Sequence, residues 1–320
     1  MHKKVSILIP TYNREKIISE TIDSALSQTY SNIEVIIVDN ASTDDTWNVI
    51  QAYAKKDNRI KAFRNESNIG PVRNWLRCVD EASGEYGKIL WSDDLIAPTF
   101  LEKTVPFLND RNDVGFVFTG AQIFVDGTDN KTDAYLLGET GVYPSDDFIV
   151  GSIARGKYPV SPGCALFRMN DIEKNLLLNV PNKVDSDFSM HAIGNDLLLF
   201  LLTANTYKYF ASVNEKLSFF RAHAGSISIQ SNDGKIPLHY DLAISHFLEA
   251  YRLDLINTFN VKLFLDLKRY PSAKKYGLIS IESFYMENKD FSFSFSTLLK
   301  RIYRSLLNRI YRYISRIKRK

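Results

Sequence analysis

The chain has 320 residues, 45% hydrophobic and 24% charged, which suits one large packed domain with an appendage and excludes a disordered or fibrous chain. Its two cysteines, Cys78 and Cys164, are far apart, with no CxxC spacing and no histidine cluster, arguing against a disulfide framework or a zinc site and for a reducing compartment. The net charge of +3 is uneven: Lys300 to Lys320 holds nine basic and no acidic residues, leaving about −6 on the preceding 299, so no nucleic-acid-binding surface is implied.

Val5-Ser6-Ile7-Leu8-Ile9 is a short apolar run closed by Pro10, the pattern of a buried parallel strand. The run is too short for a signal peptide, and no apolar stretch approaches the ~20 residues that span a bilayer. Between Glu15 and Gln28, Ile17, Ile18, Ile22, Ala25 and Leu26 recur at helical spacing. Ile33 to Val38 reads as a second buried strand ending at Asp39. Ser42 and Thr43 are N-cap candidates for a helix running to about Lys56. Ile60 to Arg64 is a third strand, and Pro71 suits the first turn of a helix whose inner face is Val72, Trp75, Leu76 and Val79. Lys88 to Trp91 is a fourth strand, running into Ser92-Asp93-Asp94.

This alternation implies a parallel sheet with right-handed crossovers, whose ligands bind beyond the carboxyl ends of the strands. Polar residues gather at all four ends: Thr11 to Asn13, Asp39 to Asp44, Asn65 to Gly70, and Asp93 with Asp94. From Val114 to Arg221, short strands (Gly115 to Thr119, Ala165 to Arg168, Leu217 to Arg221) mix with helices, among them Asn195-Asp196 followed by Leu197 to Leu202. Beyond Ser228 the pattern is helical through His239 to Phe259 and Ala273 to Met286.

Two adjacent carboxylates at a parallel strand end are costly unless hydrated or bound to a cation, and Mg²⁺ or Mn²⁺ takes one or two carboxylates plus phosphate oxygens. A solvated helix cap accounts for Asp93 and Asp94 equally well. Asn68, Gly70 and Arg73 share the same rim, where a glycine allows close backbone approach and an arginine can pair with phosphate or carboxylate. Asp39 could accept from a base N–H or a ribose hydroxyl, although a turn or cap role beside Ser42 is the simpler reading. Asp196 is stabilised as an anion by its helix N-terminus with no further role needed, yet in a cleft it could take a proton from an attacking hydroxyl. Arg221 and His223, in extended chain, would point to one face and suit a diphosphate and a metal, with Ser226 and Ser228 following.

The order of these segments resembles the family-2 glycosyltransferases. Val5-Ser6-Ile7-Leu8-Ile9-Pro10-Thr11-Tyr12-Asn13-Arg14 is similar to the opening of that family, and Ile36-Ile37-Val38-Asp39-Asn40-Ala41-Ser42-Thr43-Asp44 to its second-strand motif. Asn68-Ile69-Gly70 through Arg73-Asn74, Ser83-Gly84-Glu85-Tyr86, and Trp91-Ser92-Asp93-Asp94 with Pro98 follow its metal-binding segment. The likeness covers residues 5 to about 105 and continues more weakly to about Ser228. Trp91 stands where the family has the first carboxylate of Asp-x-Asp-Asp, and Asn195 where a glutamate is common.

The resemblance implies an α/β GT-A fold, a mainly parallel sheet flanked by helices with a C-terminal helical extension. It implies transfer, with inversion, of a sugar from a nucleotide diphosphate donor, UDP before dTDP or GDP, to a hydroxyl of a glycan or lipid-linked acceptor in cell-surface polysaccharide synthesis. Pro10, Thr11, Tyr12, Asn13, Asp39, Asn68, Gly70, Arg73, Ser92, Asp93 and Arg221 would line the donor. Asp94, Asp93 and His223 would face Mn²⁺ or Mg²⁺, and Asp196 would be the catalytic base. The expected division is a catalytic domain over 1–228 (nucleotide half 1–97, acceptor half 98–228), a helical extension over 229–298 and a basic amphipathic helix over 299–320. In the last, apolar residues recur at three- and four-residue steps among arginines, a pattern for peripheral attachment to the cytoplasmic face of the cell membrane. The rival readings are a non-catalytic or cation-independent nucleotide-sugar-binding protein and a sugar nucleotidyltransferase. The latter needs a glycine-rich loop after the first strand, which Pro10-Thr11-Tyr12-Asn13-Arg14 lacks. A dehydrogenase is poorer still, because no GxGxxG follows that strand.

Overall fold

The computed structural model describes residues 3–154, 156–223 and 233–287, with 292, 294–296, 298 and 299. Ser226, Ser228 and all but the first residue of the expected basic helix lie outside the described residues. The chain divides into two compact units, one holding residues 3–180 and 187–223, the other 181–186 and 233 onward.

In the first unit, strand and helix alternate: β1 Val5–Thr11, α1 Ile18–Leu26, β2 Ile33–Asp39, α2 Thr46–Ala54, β3 Ile60–Arg64, α3 Pro71–Asp80 and β4 Tyr86–Ile89. After β5 Leu95–Ile96 and α4 Phe100–Asp110 come β6 Val114–Phe124, β7 Lys131–Ala134, β8 Gly141–Pro144, α5 Ser145–Ile153, β9 Ala165–Arg168, α6 Met169–Asn175, α7 Phe188–His191, α8 Asn195–Thr206 and β10 Tyr209–Arg221. One sheet runs β3-β2-β1-β4-β9-β6-β10-β5, with β7 on β6 and β8 on β10. Its first four strands are parallel, as is β6 beside β10, while β9, β5, β7 and β8 pair antiparallel. The sheet is therefore mixed: these four strands are only two to four residues long and pair antiparallel with their neighbours.

Every residue of β1 and β2 is buried, so helices cover both faces, and each fully buried Ile or Val contributes roughly 1.5–3 kcal/mol. Glu34 is the costly exception in β2. Its carboxylate accepts from Ser6 Oγ at 2.6 Å, Lys4 Nζ at 2.8 Å and the Ser83 amide at 2.7 Å, and pairs with Lys61 at 2.8 Å. In the other half of the sheet the core is aromatic: Phe116 packs on Phe148, Phe167, Phe200 and Phe210 at 5.0–5.7 Å between ring centroids.

α2 starts at Thr46 with no side-chain cap, later than Ser42 and Thr43 suggest. Ser42 is drawn instead to Asp39, whose buried carboxylate accepts from the Ser42 hydroxyl and amide. The second unit holds α9 Lys235–Tyr251 and α10 Ile256–Arg269, joined by a short 3₁₀ turn. The helical pattern over Ala273 to Met286 resolves into 3₁₀ turns at Pro271–Tyr276 and Ile281–Phe284, because Gly277 at φ 71° breaks the run. Among the described residues no helix is long and apolar enough to cross a membrane.

Candidate active site

The carboxyl ends of β1, β2 and β4 open at one edge, where the expected residues gather. Pro10 pairs in register with Val38 and Thr11 with Asp39. Tyr12, 39% exposed, turns out of the sheet at this point. Asn13 adopts a left-handed φ of 51°, with its amide on Ser42 Oγ at 2.9 Å and its side-chain oxygen accepting from the Thr43 amide at 2.9 Å. The two loops are thereby tied together. Asp39 is fully buried and ion-paired with Arg64 at 3.1 Å.

An asparagine network fastens the third strand end to the second. Asn40 donates to Asn68 Oδ1 at 2.9 Å and accepts from Asn65 Nδ2 at 2.9 Å and the Ile69 amide at 3.0 Å. Asn65 also donates to Asn74 Oδ1 at 2.8 Å, and Asn74 to the Val38 carbonyl at 3.1 Å. Gly70 precedes α3 at φ 84°, and a Cβ there would stand 2.6 Å from Met190 Sδ. Only glycine fits that corner. Arg73 donates to Ser189 Oγ at 2.8 Å, tying α3 to the start of α7.

Beyond β4, Ser92 is buried and the two carboxylates take different partners. Asp93 Oδ2 lies 2.8 Å from His223 Nε2 and 3.7 Å from Arg14. Asp94 Oδ1 accepts from the Arg221 amide at 2.9 Å. Burial first, and then the charge of Asp93, push the Asp94 carboxyl well above the usual range. The Arg221 guanidinium donates to the Asp93 carbonyl at 3.0 Å, to Glu20 at 2.7 Å and to Asp126, so protein groups engage it on three sides. Beneath lies Lys88, fully buried, on the carbonyls of Ile89 at 2.7 Å and Gly163 at 2.5 Å, with burial lowering its ammonium to about 7. The nearby Cys164 thiol is pushed up by burial to about 12, which leaves it inert as a nucleophile.

Asp196 opens α8 after Gly194, which has φ 110°. Its Oδ1 accepts from the amides of Gly194 at 3.1 Å and Leu197 at 2.9 Å. Burial above all, and in part the Asp196 carboxylate, raise the Tyr135 phenol. Tyr135 packs edge-on against Phe220 of β10 at 6.4 Å, which relates the Asp196 region to the strand carrying Arg221. Trp91 bonds Ser161 Oγ at 2.8 Å and leans on Trp75 at 4.7 Å between centroids, an aromatic wall where a carboxylate was expected.

The strand ends thus gather Pro10 to Asn13, Asp39, Asn68 and Gly70, while Asp93, Asp94, Arg221 and His223 form one contiguous cluster. Arg73 engages Ser189, and the Asp196 carboxylate engages the amides of Gly194 and Leu197. Among the described residues no group of three or more His, Cys, Asp or Glu is arranged to hold a metal by protein ligands alone. Two adjacent carboxylates, one with its acidity strongly suppressed, still suit a hard divalent cation that completes its shell with phosphate oxygens. Sequence reasoning missed Glu20, Asp126 and Lys88, and it placed Asn40, Asn65 and Asn74 in the strand-end segments without giving them a role. Lys88 carried a signal, a lone charge in an apolar strand.

The family model described as Glycosyl transferase family 2 matches residues 6–176. The chain is 38% identical over 122 residues to the putative glycosyltransferase EpsE of Bacillus subtilis, a match covering 38% of this chain and 44% of EpsE. It is 28% identical over 224 residues to the Escherichia coli UDP-Glc:alpha-D-GlcNAc-diphosphoundecaprenol beta-1,3-glucosyltransferase WfaP, covering 70% of this chain and 79% of that protein. The chain thus spans less than half of EpsE and more of WfaP. Among solved structures it superposes on S. aureus TarS in complex with UDP-GlcNAc at a TM-score of 0.57, 19% identity, 87% of this chain and 84% of that one. Mannosyltransferase PcManGT from Pyrobaculum calidifontis, in complex with GDP-Man and Mn²⁺, follows at 0.53, 18% identity, 86% and 74%. At these identities the structural likeness bears on the fold alone, and the fold is GT-A.

Proposed function

Because the chain belongs to glycosyl transferase family 2 and is a glycosyltransferase, we propose that it moves a sugar from a nucleotide diphosphate donor, UDP-linked by preference, to a hydroxyl of a glycan or lipid-linked acceptor in surface-polysaccharide synthesis, with inversion. The observation carrying this reading is the cluster of Asp93, Asp94, Arg221 and His223 beside the open ends of β1 and β2. The ligands of TarS and the donor and acceptor of WfaP support the UDP-sugar and the lipid-linked acceptor.

In this reading Pro10 to Asn13 and Asp39 line the base and ribose, with Asn68, Gly70, Arg73 and Ser92 on the same rim. Asp93 and Asp94, with His223 on Asp93, would hold Mn²⁺ or Mg²⁺, as the Mn²⁺ in PcManGT supports. The cation supplies positive charge where the leaving diphosphate gathers negative charge. Arg221, bound to the Asp93 carbonyl and, through its amide, to the Asp94 carboxylate, fixes the strand-end loop that carries both, close to where the leaving diphosphate would lie. Asp196 accepts the proton of the acceptor hydroxyl as that oxygen bonds to the anomeric carbon, and the bond to the nucleotide diphosphate breaks in the same displacement. The tail, residues 299–320, attaches the enzyme to the cytoplasmic face of the membrane.

The test is donor turnover. Purified protein with Mn²⁺, a UDP-sugar panel and an acceptor should release free UDP, and should stop when EDTA is added. Binding without release across UDP-, dTDP- and GDP-sugars would leave a non-catalytic binder. Full activity in EDTA would remove the cation.

A further inference from the structure

Within the second unit, α10 and the segment 270–282 enclose a groove of about 530 Å³, within the size range of sites for small amphiphiles. Its lining is apolar where Phe264, Leu267, Leu278 and Ile279 meet. Ile279 is 73% exposed at the groove's lip, and Phe264 is 37% exposed. Such a patch marks a surface for an apolar partner.

The rim is basic. Lys268 and Lys274 line the groove against one lining carboxylate, Glu282, and Arg269 and Lys275 are exposed beside them, Lys275 near Asp233. Among the described residues neither Lys268 nor Lys274 is ion-paired; the Lys268 ammonium instead sits 5.8 Å over the Phe264 ring. An apolar trough with uncompensated ammonium groups at its edge complements a molecule with a hydrocarbon chain and an anionic head. Charge excludes two other occupants. The chain's own segment from Lys300 to Lys320 carries nine basic and no acidic residues, and a second copy would bring the same basic rim.

We infer that this groove takes one acyl chain of an anionic phospholipid, with Lys268 and Lys274 on its phosphate. The inference does not depend on the transfer reaction. Monomeric short-chain lipids test it without a bilayer. Full-length protein with labelled isoleucine methyls is titrated with dihexanoyl phosphatidylglycerol, dihexanoyl phosphatidylcholine and glycerol phosphate. The Ile279 methyl should shift saturably with phosphatidylglycerol and much less with the other two. Neutralising the rim in Lys268→Gln and Lys274→Gln, both at exposed positions, should weaken binding about fivefold per lysine. Equal response to phosphatidylcholine, an equal response to glycerol phosphate, no Ile279 shift, or unchanged affinity in both variants overturns the inference. So does an Ile279 shift on deleting residues 301–320 alone, which would mean that the tail fills the groove.

Discussion

Asp93 and Asp94 are neighbours in sequence, yet one faces His223 and the other the Arg221 amide, and each loses something different on substitution. Asp94→Asn keeps the hydrogen-bonding shape but cannot ionise to meet a cation, so transfer should fall on the order of 10²-fold with little change in melting temperature. Unaltered turnover would take Asp94 out of the site. Asp196→Asn should leave donor affinity intact and lower kcat by ~10²-fold, the scale of a general base. If donor affinity falls instead and kcat holds, Asp196 is a helix cap. Glu34 shows the pH sign most clearly. Burial alone would raise its carboxyl, but hydrogen bonds from Lys4, Lys61, Ser6 and the Ser83 amide outweigh burial and hold it well below the usual range. A depressed folded value stabilises the fold fully above the unfolded value of about 4.3, and that contribution fades as pH falls below it. Urea titrations of wild type and Glu34→Gln should therefore differ most near neutral pH and converge as the medium is acidified. A constant gap across that range contradicts the assignment.

At the scale of elements, β1 and β2 were legible because strands buried on both faces must be apolar runs, and each stops at a polar cluster, whereas β4 runs Tyr86–Ile89, two residues earlier than the expected Lys88 to Trp91. The position of the carboxylate pair was legible too, since its charge stands out just past an apolar run. What could not be read is how partners are shared. Ser42 looks like a helix cap until Asp39 is seen to need its hydroxyl. Asn40, Asn65 and Asn74 are unremarkable loop or helix residues until β2, β3 and α3 bring them together. Arg221 has Glu20 and Asp126 as partners, and no local pattern shows them because they lie 201 and 95 residues away in the chain. The corner at Gly70 offers a test of the α3 entry. Gly70→Ala meets both a left-handed φ and the Met190 sulfur, so it should cost about 1–2 kcal/mol for the backbone alone. Adding Met190→Ala should recover only the steric part. Complete recovery in chemical denaturation would mean that the backbone geometry is not constraining.

Over the whole molecule, charge is segregated between a body near −6 and a tail of nine basic residues. If the tail attaches the enzyme to anionic membranes, deletion of residues 301–320 should lower the fraction sedimenting with phosphatidylglycerol vesicles at least about tenfold. Transfer to a water-soluble acceptor should continue. Equal sedimentation of both forms assigns attachment elsewhere. The family rests on residues 6–176, but the chemistry rests on whether the strand-end cluster receives the donor. The most direct measurement is an anomalous-difference map from crystals grown with Mn²⁺ and UDP. A manganese peak in contact with the carboxylates of Asp93 and Asp94, with the diphosphate against it and the base toward Asp39, is the predicted result. Nucleotide bound at another part of the chain, or bound here with no manganese at those carboxylates, would contradict it.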